Sequence, residues 1–197
     1  MPKKGLTEII CIIDKSGSMG GIASDAIGGF NTFLQNQRAE EGEARMSVVL
    51  FDTTQQIVCM SEDVNKVKEL DRSTYVPNGM TALYDAVGMT LTQAETIYAR
   101  TVDDQRPEKV IVAILTDGEE NSSRHYKRAA IFNLISKQTE RGWQFIYLGA
   151  NQDAFSVAES IGISKEDAMN FEADAAGIKE AWCKLSVSAS AFRKFGK

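Results

Sequence analysis

The chain has 197 residues, 43% of them hydrophobic and 25% charged, which is enough for one α/β domain with a buried core and short for two. Its 27 acidic side chains outnumber 22 basic ones, and the net charge of −5 argues against a nucleic-acid binder, which would carry a basic face. Cations and basic surfaces are the easier ligands.

The opening Met1-Pro2-Lys3-Lys4 is basic, yet the apolar run behind it, residues 9–13, stops at Asp14. That is too short for the core of a signal peptide, and no run elsewhere reaches membrane-spanning length. The expectation is a cytoplasmic protein without a membrane partner. Residues 8–13 read as a central strand covered on both faces. A glycine-rich turn (Gly17, Gly20, Gly21) leads into a helix whose face carries Ala23, Ile27, Phe30, Phe33 and Leu34.

Residues 45–51 and 56–60 are two β-rich runs separated by a short gap, which predicts a hairpin and hence one antiparallel strand at a sheet edge. A short helix is expected over 63–70 and a long one over 81–98, where Leu83, Val87, Leu91, Ala94 and Tyr98 keep helical spacing. After Pro107, residues 109–115 form a second buried-type strand. A helix near 124–140, a strand over 143–148, a helix near 152–161, a weak strand at 168–171 and a last helix over 174–193 complete the pattern. Such alternation makes a doubly wound, Rossmann-like α/β sheet, mostly parallel with one antiparallel edge strand and helices on both faces. In that fold ligands bind at the carboxyl ends of strands, near the switch point. No domain boundary interrupts it.

Cys11, Cys59 and Cys183 are odd in number and form no CxxC pair, so they read as buried free thiols rather than a disulfide or zinc site. His125 is the only histidine, which leaves little material for a histidine-based metal site or a Ser-His-Asp triad.

The chemistry concentrates at two strand ends. Asp14-Lys15-Ser16-Gly17-Ser18 follows the first strand, and Asp117 follows the strand at 109–115. In a doubly wound sheet those strands are neighbours, and Thr81, at the start of the long helix, can meet them. Side chains at i and i+2 of an extended segment point the same way, so Asp14, Ser16 and Ser18 can converge. Two carboxylates and three hydroxyls make an all-oxygen set suited to Mg²⁺, Mn²⁺ or Ca²⁺ rather than zinc. The bland alternative is that the first loop only caps a helix while Asp117 sits in a turn.

Asp14-x-Ser16-x-Ser18, the distant Thr81 and the later Asp117-Gly118 together resemble the metal-ion-dependent adhesion site of von Willebrand factor type A domains. The resemblance covers most of the chain and implies one such domain over 1–197, with its core at about 7–193. It implies that Ser16 and Ser18 donate hydroxyl oxygens directly to the metal, that Thr81 binds directly or through water, and that Asp14 and Asp117 anchor the ion, at least one through water. A partner's Asp or Glu would fill the remaining position. Two protein carboxylates roughly cancel a 2+ charge, so one more can join them. The implied activity is protein binding for adhesion or scaffolding, without catalysis. The implied partners include an AAA-type ATPase or another copy of the chain.

Two other readings stand beside it. An Asp after the first strand plus Mg²⁺ also describes phosphotransfer enzymes, but those resemble Asp-x-Asp, position 16 is serine, and no phosphate-binding GxxxxGK[ST] loop is present. A self-assembling structural protein could place a neighbouring copy's carboxylate on the ion. Around the site, Arg124, His125, Lys127 and Arg128 read as a solvated helix face, Glu119-Glu120 as a solvated turn, and residues 149–153 as a helix N-cap. Met19 and Met80 could either rim the site or pack inward.

Overall fold

Parallel strands of isoleucine, valine and leucine need cover on both faces, and that requirement arranges the whole chain. The computed structural model describes residues 1–150 and 153–196. Its strands are β1 (Lys3–Asp14), β2 (Ala44–Phe51), β3 (Gln55–Asp63), β4 (Pro107–Thr116), β5 (Gln144–Ala150) and β6 (Ala168–Phe171). The helices are α1 (Ala23–Ala39), α2 (Leu83–Arg100), α3 (Arg128–Glu140), α4 (Ala154–Ser160) and α5 (Ala175–Phe195).

The strands form one sheet in the order β3-β2-β1-β4-β5-β6, with β3 antiparallel to β2 and every other pair parallel. Alternation along β1 divides the core. Ile9, Cys11 and Ile13 face Phe30, Phe33 and Leu34 of α1 and Trp182 and Leu185 of α5. Ile10 and Ile12 face Val87 and Leu91 of α2 and Ile131 and Ile135 of α3. The predicted mostly parallel α/β sheet with an antiparallel edge is the fold observed. Along the edge pair, β2 and β3 slip register on either side of Val48, and Ser61 has a φ of 50°. Among the described residues no helix is long and apolar enough to cross a membrane.

Three expected elements differ. The helix over 63–70 is absent; this stretch is a turn and loop that buries Val64, Val67 and Leu70. Side chains of α1 hold its backbone instead: Asn31 bonds both the amide and the carbonyl of Leu70, and Arg38 donates to the carbonyls of Val64 and Val67. With those groups taken, a local helix has nothing to gain. The long helix starts at Leu83 because the Thr81 amide is held by Asn121 and the Ala82 amide by the Asp52 carbonyl. The next starts at Arg128 rather than near 124, since the Asp85 carboxylate accepts the amides of Arg124, His125 and Tyr126 at 2.7–2.9 Å.

Asn151 and Gln152 of the expected cap at 149–153 lie outside the described residues, while Asp153 caps α4 by accepting from the Ser156 amide. The cysteines are free, but only Cys11 is buried; Cys59 is half-buried and Cys183 exposed, so the expectation of three buried thiols is corrected. Residue 183 sits on the outer face of the amphipathic α5.

Candidate metal centre

β1 and β4 run side by side with Ile13 opposite Leu115, so both deliver their next residues to the same sheet edge. From there the chain order runs outward in opposite directions, to β2 on one side and β5 on the other, and the loops part to leave a crevice.

Asp14 is fully buried there; its Oδ1 accepts the Ser16 amide at 2.6 Å and its Oδ2 the Thr116 hydroxyl at 2.5 Å. The Ser16 and Ser18 hydroxyls stand 3.1 Å apart, and Ser18 Oγ donates to Asp117 Oδ1 at 2.7 Å. Thr81 is buried against Gly118: a Cβ on that glycine would stand 3.0 Å from Thr81 Oγ1 and 3.9 Å from Ser18 Oγ. Asp14, Ser16, Ser18, Thr81 and Asp117 thus meet at one edge, with Ser18 the most open to solvent and the others buried.

Backbone bonds lock the three loops to one another. Gly17 N–H donates to the Gly79 carbonyl at 3.1 Å, Asn78 N–H to Lys15 at 2.9 Å, and Asn121 N–H to Thr81 at 3.0 Å. The Tyr75 hydroxyl closes the underside by donating to the Asp14 carbonyl at 2.5 Å. A buried ion pair, Lys15 with Asp52, adds a further tie, and Asp52 also accepts the Thr54 amide at 2.7 Å. Gly79 is needed for this closure: its φ is +68°, and a Cβ there would come within 2.7 Å of Thr53 Oγ1.

The electrostatics are one-sided. Burial pushes the Asp14 carboxyl up to about 6 and the neighbouring Asp117 charge adds to this, against hydrogen bonds from Thr116 and Ser16 that pull the other way. Burial also raises Asp117, opposed by the Ser18 hydroxyl. Lys15, the next residue after Asp14, does not relieve them, because it is committed to Asp52. There burial pushes the carboxyl up, but the Lys15 and Thr54 hydrogen bonds outweigh it and the net shift is downward.

Two crowded carboxylates beside hydroxyls and no cationic side chain are a donor set that fits a hard divalent cation. The oxygen spacings of 3.1 and 2.7 Å are close to the ~3.0 Å edge of an octahedron with metal–oxygen bonds of about 2.1 Å. Among the described residues no group of three or more His, Cys, Asp or Glu gathers in a metal-binding arrangement, so an ion here depends on the hydroxyls.

Several neighbours of the site refine the sequence reading or went unread in it. Glu120 is no solvated turn: it accepts the amides of Ser122, Ser123 and Tyr84 at 2.7–3.0 Å and so builds the loop after Asp117. Met19 is fully buried whereas Met80 is half exposed. Arg124, His125 and Lys127 are exposed as expected, but they precede α3 instead of lying on it. Asp52 escaped notice, although it follows β2 as Asp14 follows β1, which is the signal that could have found it.

A model of the von Willebrand factor type A domain matches residues 8–180. No curated protein sequence matches the chain significantly. Among solved structures, proximal thread matrix protein 1 from the mussel byssus superposes with a TM-score of 0.68 at 18% identity, over 94% of this chain and 46% of that one. The chain therefore spans about half the length of the mussel protein. The vWF domain of the type V pili tip protein Mfa5 from Porphyromonas gingivalis gives 0.67 at 13% identity, over 97% of both chains. Manganese-loaded TRAP protein from Plasmodium vivax gives 0.61 at 18%, over 93% of this chain and 74% of that one. The mussel protein also has a structure with a zinc-occupied site of this kind (TM-score 0.66, 16% identity, 93% of this chain and 46% of that one), so an all-oxygen preference ranks zinc low without excluding it from the fold.

Proposed function

We propose that this chain, which belongs to the von Willebrand factor type A domain family, is a protein-interaction module that grips an acidic side chain of its partner through a divalent cation. The observation that carries the reading is the hydrogen-bonded run of Ser16, Ser18 and Asp117 beside a buried Asp14 that forms no ion pair among the described residues. Ser16, Ser18 and Thr81 would supply hydroxyl oxygens, and Asp14 and Asp117 the charge that holds the ion. Mg²⁺ is our choice, with Mn²⁺ or Ca²⁺ as substitutes. When bound, the ion supplies a positive, exchangeable position for one outside carboxylate.

The chain's own residues do the rest. Thr116 and the Ser16 amide keep both oxygens of Asp14 oriented, and Lys15 with Asp52 holds the first loop against the turn after β2, whose Asp52 carbonyl in turn accepts the Ala82 amide. Exposed Ser18 leaves the outer side of the cluster facing solvent, where a partner arrives.

We read residues 1–197 as one such module, cytoplasmic, with an AAA-type ATPase or a second copy of the chain as the partners to seek first. Adhesion or scaffolding is favoured over catalysis by the company the fold keeps, a byssus matrix protein and a pilus tip protein. Calorimetry with Mg²⁺ tests the reading: one site is expected, and it is lost when Ser16→Ala and Ser18→Ala are combined in a protein whose circular dichroism is unchanged. Equal binding by the double variant defeats the proposal. A pull-down in Mg²⁺ repeated in EDTA then identifies the partner.

A further inference from the structure

A second feature adjoins the five-residue cluster and has no part in holding an ion. A cleft of about 360 Å³ opens beside it, lined by Ala82, Ala86, Met89, Ser122, Arg124 and His125, together with Asp85, whose carboxylate is already taken by three backbone amides. It is contiguous with the cluster through two adjacent-residue steps: Thr81 belongs to the cluster and Ala82 to the cleft, and Asn121 holds Thr81 while Ser122 lines the cleft. Neighbouring residues are about 3.8 Å apart, so a chain bound at the cluster reaches the cleft within one or two residues.

The lining has two chemistries. Ala82, Ala86 and Met89 give an apolar wall, with Met89 41% exposed. Arg124 and His125 belong to the same lining and are exposed, and their backbone amides are fixed by the Asp85 carboxylate. Arg124, Lys127 and Arg128 form no ion pair among the described residues, an uncompensated basic run on a chain of net charge −5. The Ser122 Oγ is buried with no hydrogen-bond partner. An apolar wall, a guanidinium and an unpaired hydroxyl are together what an acidic side chain with an aliphatic stem requires.

We propose that the cleft is a second acidic subsite, so that the partner is an extended peptide segment carrying two carboxylates. The first goes to the ion, and the second, a glutamate two residues along, lays its stem on Ala86 and Met89 and its carboxylate against Arg124. The volume, at the small end of ligand pockets, suits one side chain. The inference rests on the metal reading, and the test separates the two.

The probes are blocked peptides Gly-Gly-Asp-Gly-Glu-Gly-Gly and the same sequence with Gln for Glu, titrated in Mg²⁺ into ¹⁵N-labelled protein and followed by amide shifts, after calorimetry has measured Mg²⁺ binding alone. The expected result is that the Glu peptide binds about five- to tenfold tighter than the Gln peptide and moves the Ser122, Arg124 and Ala86 amides. That advantage should vanish in the Arg124→Gln, His125→Gln double variant while Mg²⁺ binding stays unchanged. Normal Mg²⁺ binding with equal affinity for both peptides, or with no shift at millimolar peptide, overturns the subsite and leaves the metal site standing. Absence of Mg²⁺ binding removes the metal reading itself. Equal binding of the Glu peptide in EDTA overturns the coupling of the two positions.

Discussion

Two carboxylates are buried on β1, one at mid-strand and one at its carboxyl end, and they are treated in opposite ways. Glu8 lies fully buried between strands, where Ser47 and Ser61 each donate a hydroxyl at 2.7 Å, one to each oxygen. Ser47 in turn accepts the Ser61 amide at 2.8 Å, so the pocket closes on itself. Asp14 is as deeply buried, but its hydroxyl neighbours lead outward through Ser16 and Ser18 to a second carboxylate and solvent. Burial raises both carboxyls. A carboxylate enclosed by its own sheet is structural, whereas one placed beside another anion at an open edge is arranged for something that arrives from outside.

The contrast can be broken most strongly beneath Asp14. Asp52→Ala leaves Lys15 buried without its partner, and urea unfolding should show a loss of about 3–5 kcal/mol. The next effect is that of pH on metal-free protein. The Asp14 carboxyl is raised to about 6 in the fold from 3.8. Its contribution is therefore fully present below about pH 4 and is lost as pH rises through 6, by roughly 3 kcal/mol if this group acts alone. Melts in EDTA should fall over that window. With Mg²⁺ present, protons compete for the same oxygens, so the ion's effect should grow over the same range.

Saturating Mg²⁺ comes third. At a hundred times its dissociation constant the ion should add about 2.7 kcal/mol, read as a rise in melting temperature that Asp117→Asn weakens. Smallest is the control at mid-strand. Glu8→Gln should change stability by about 1 kcal/mol and leave the Mg²⁺-induced rise intact. A change in that rise would mean that the two carboxylates are not independent.

Much of this was legible from residue order. Continuous apolar runs at 8–13 and 109–115 marked the central strands, and the alternation of Asp14, Ser16 and Ser18 marked the edge where Thr81 and Asp117 also lie. What stayed hidden depends on partners far away in sequence. Lys15 and Asp52 are 37 positions apart, and nothing local in either announces the pair. The segment at 63–70 has helical spacing, yet Asn31 and Arg38 claim its backbone. Glu120 and Asp85 look like surface acids until the amides they collect are seen.

The register slips around Val48 and the left-handed Ser61 also bear on how copies of the chain can associate. A bulged, twisted β3, with Glu62 and Asp63 at its end, is a poor template for a further strand, and at the opposite margin β6 has only four residues to offer. Neither margin favours growth of a fibre by sheet addition.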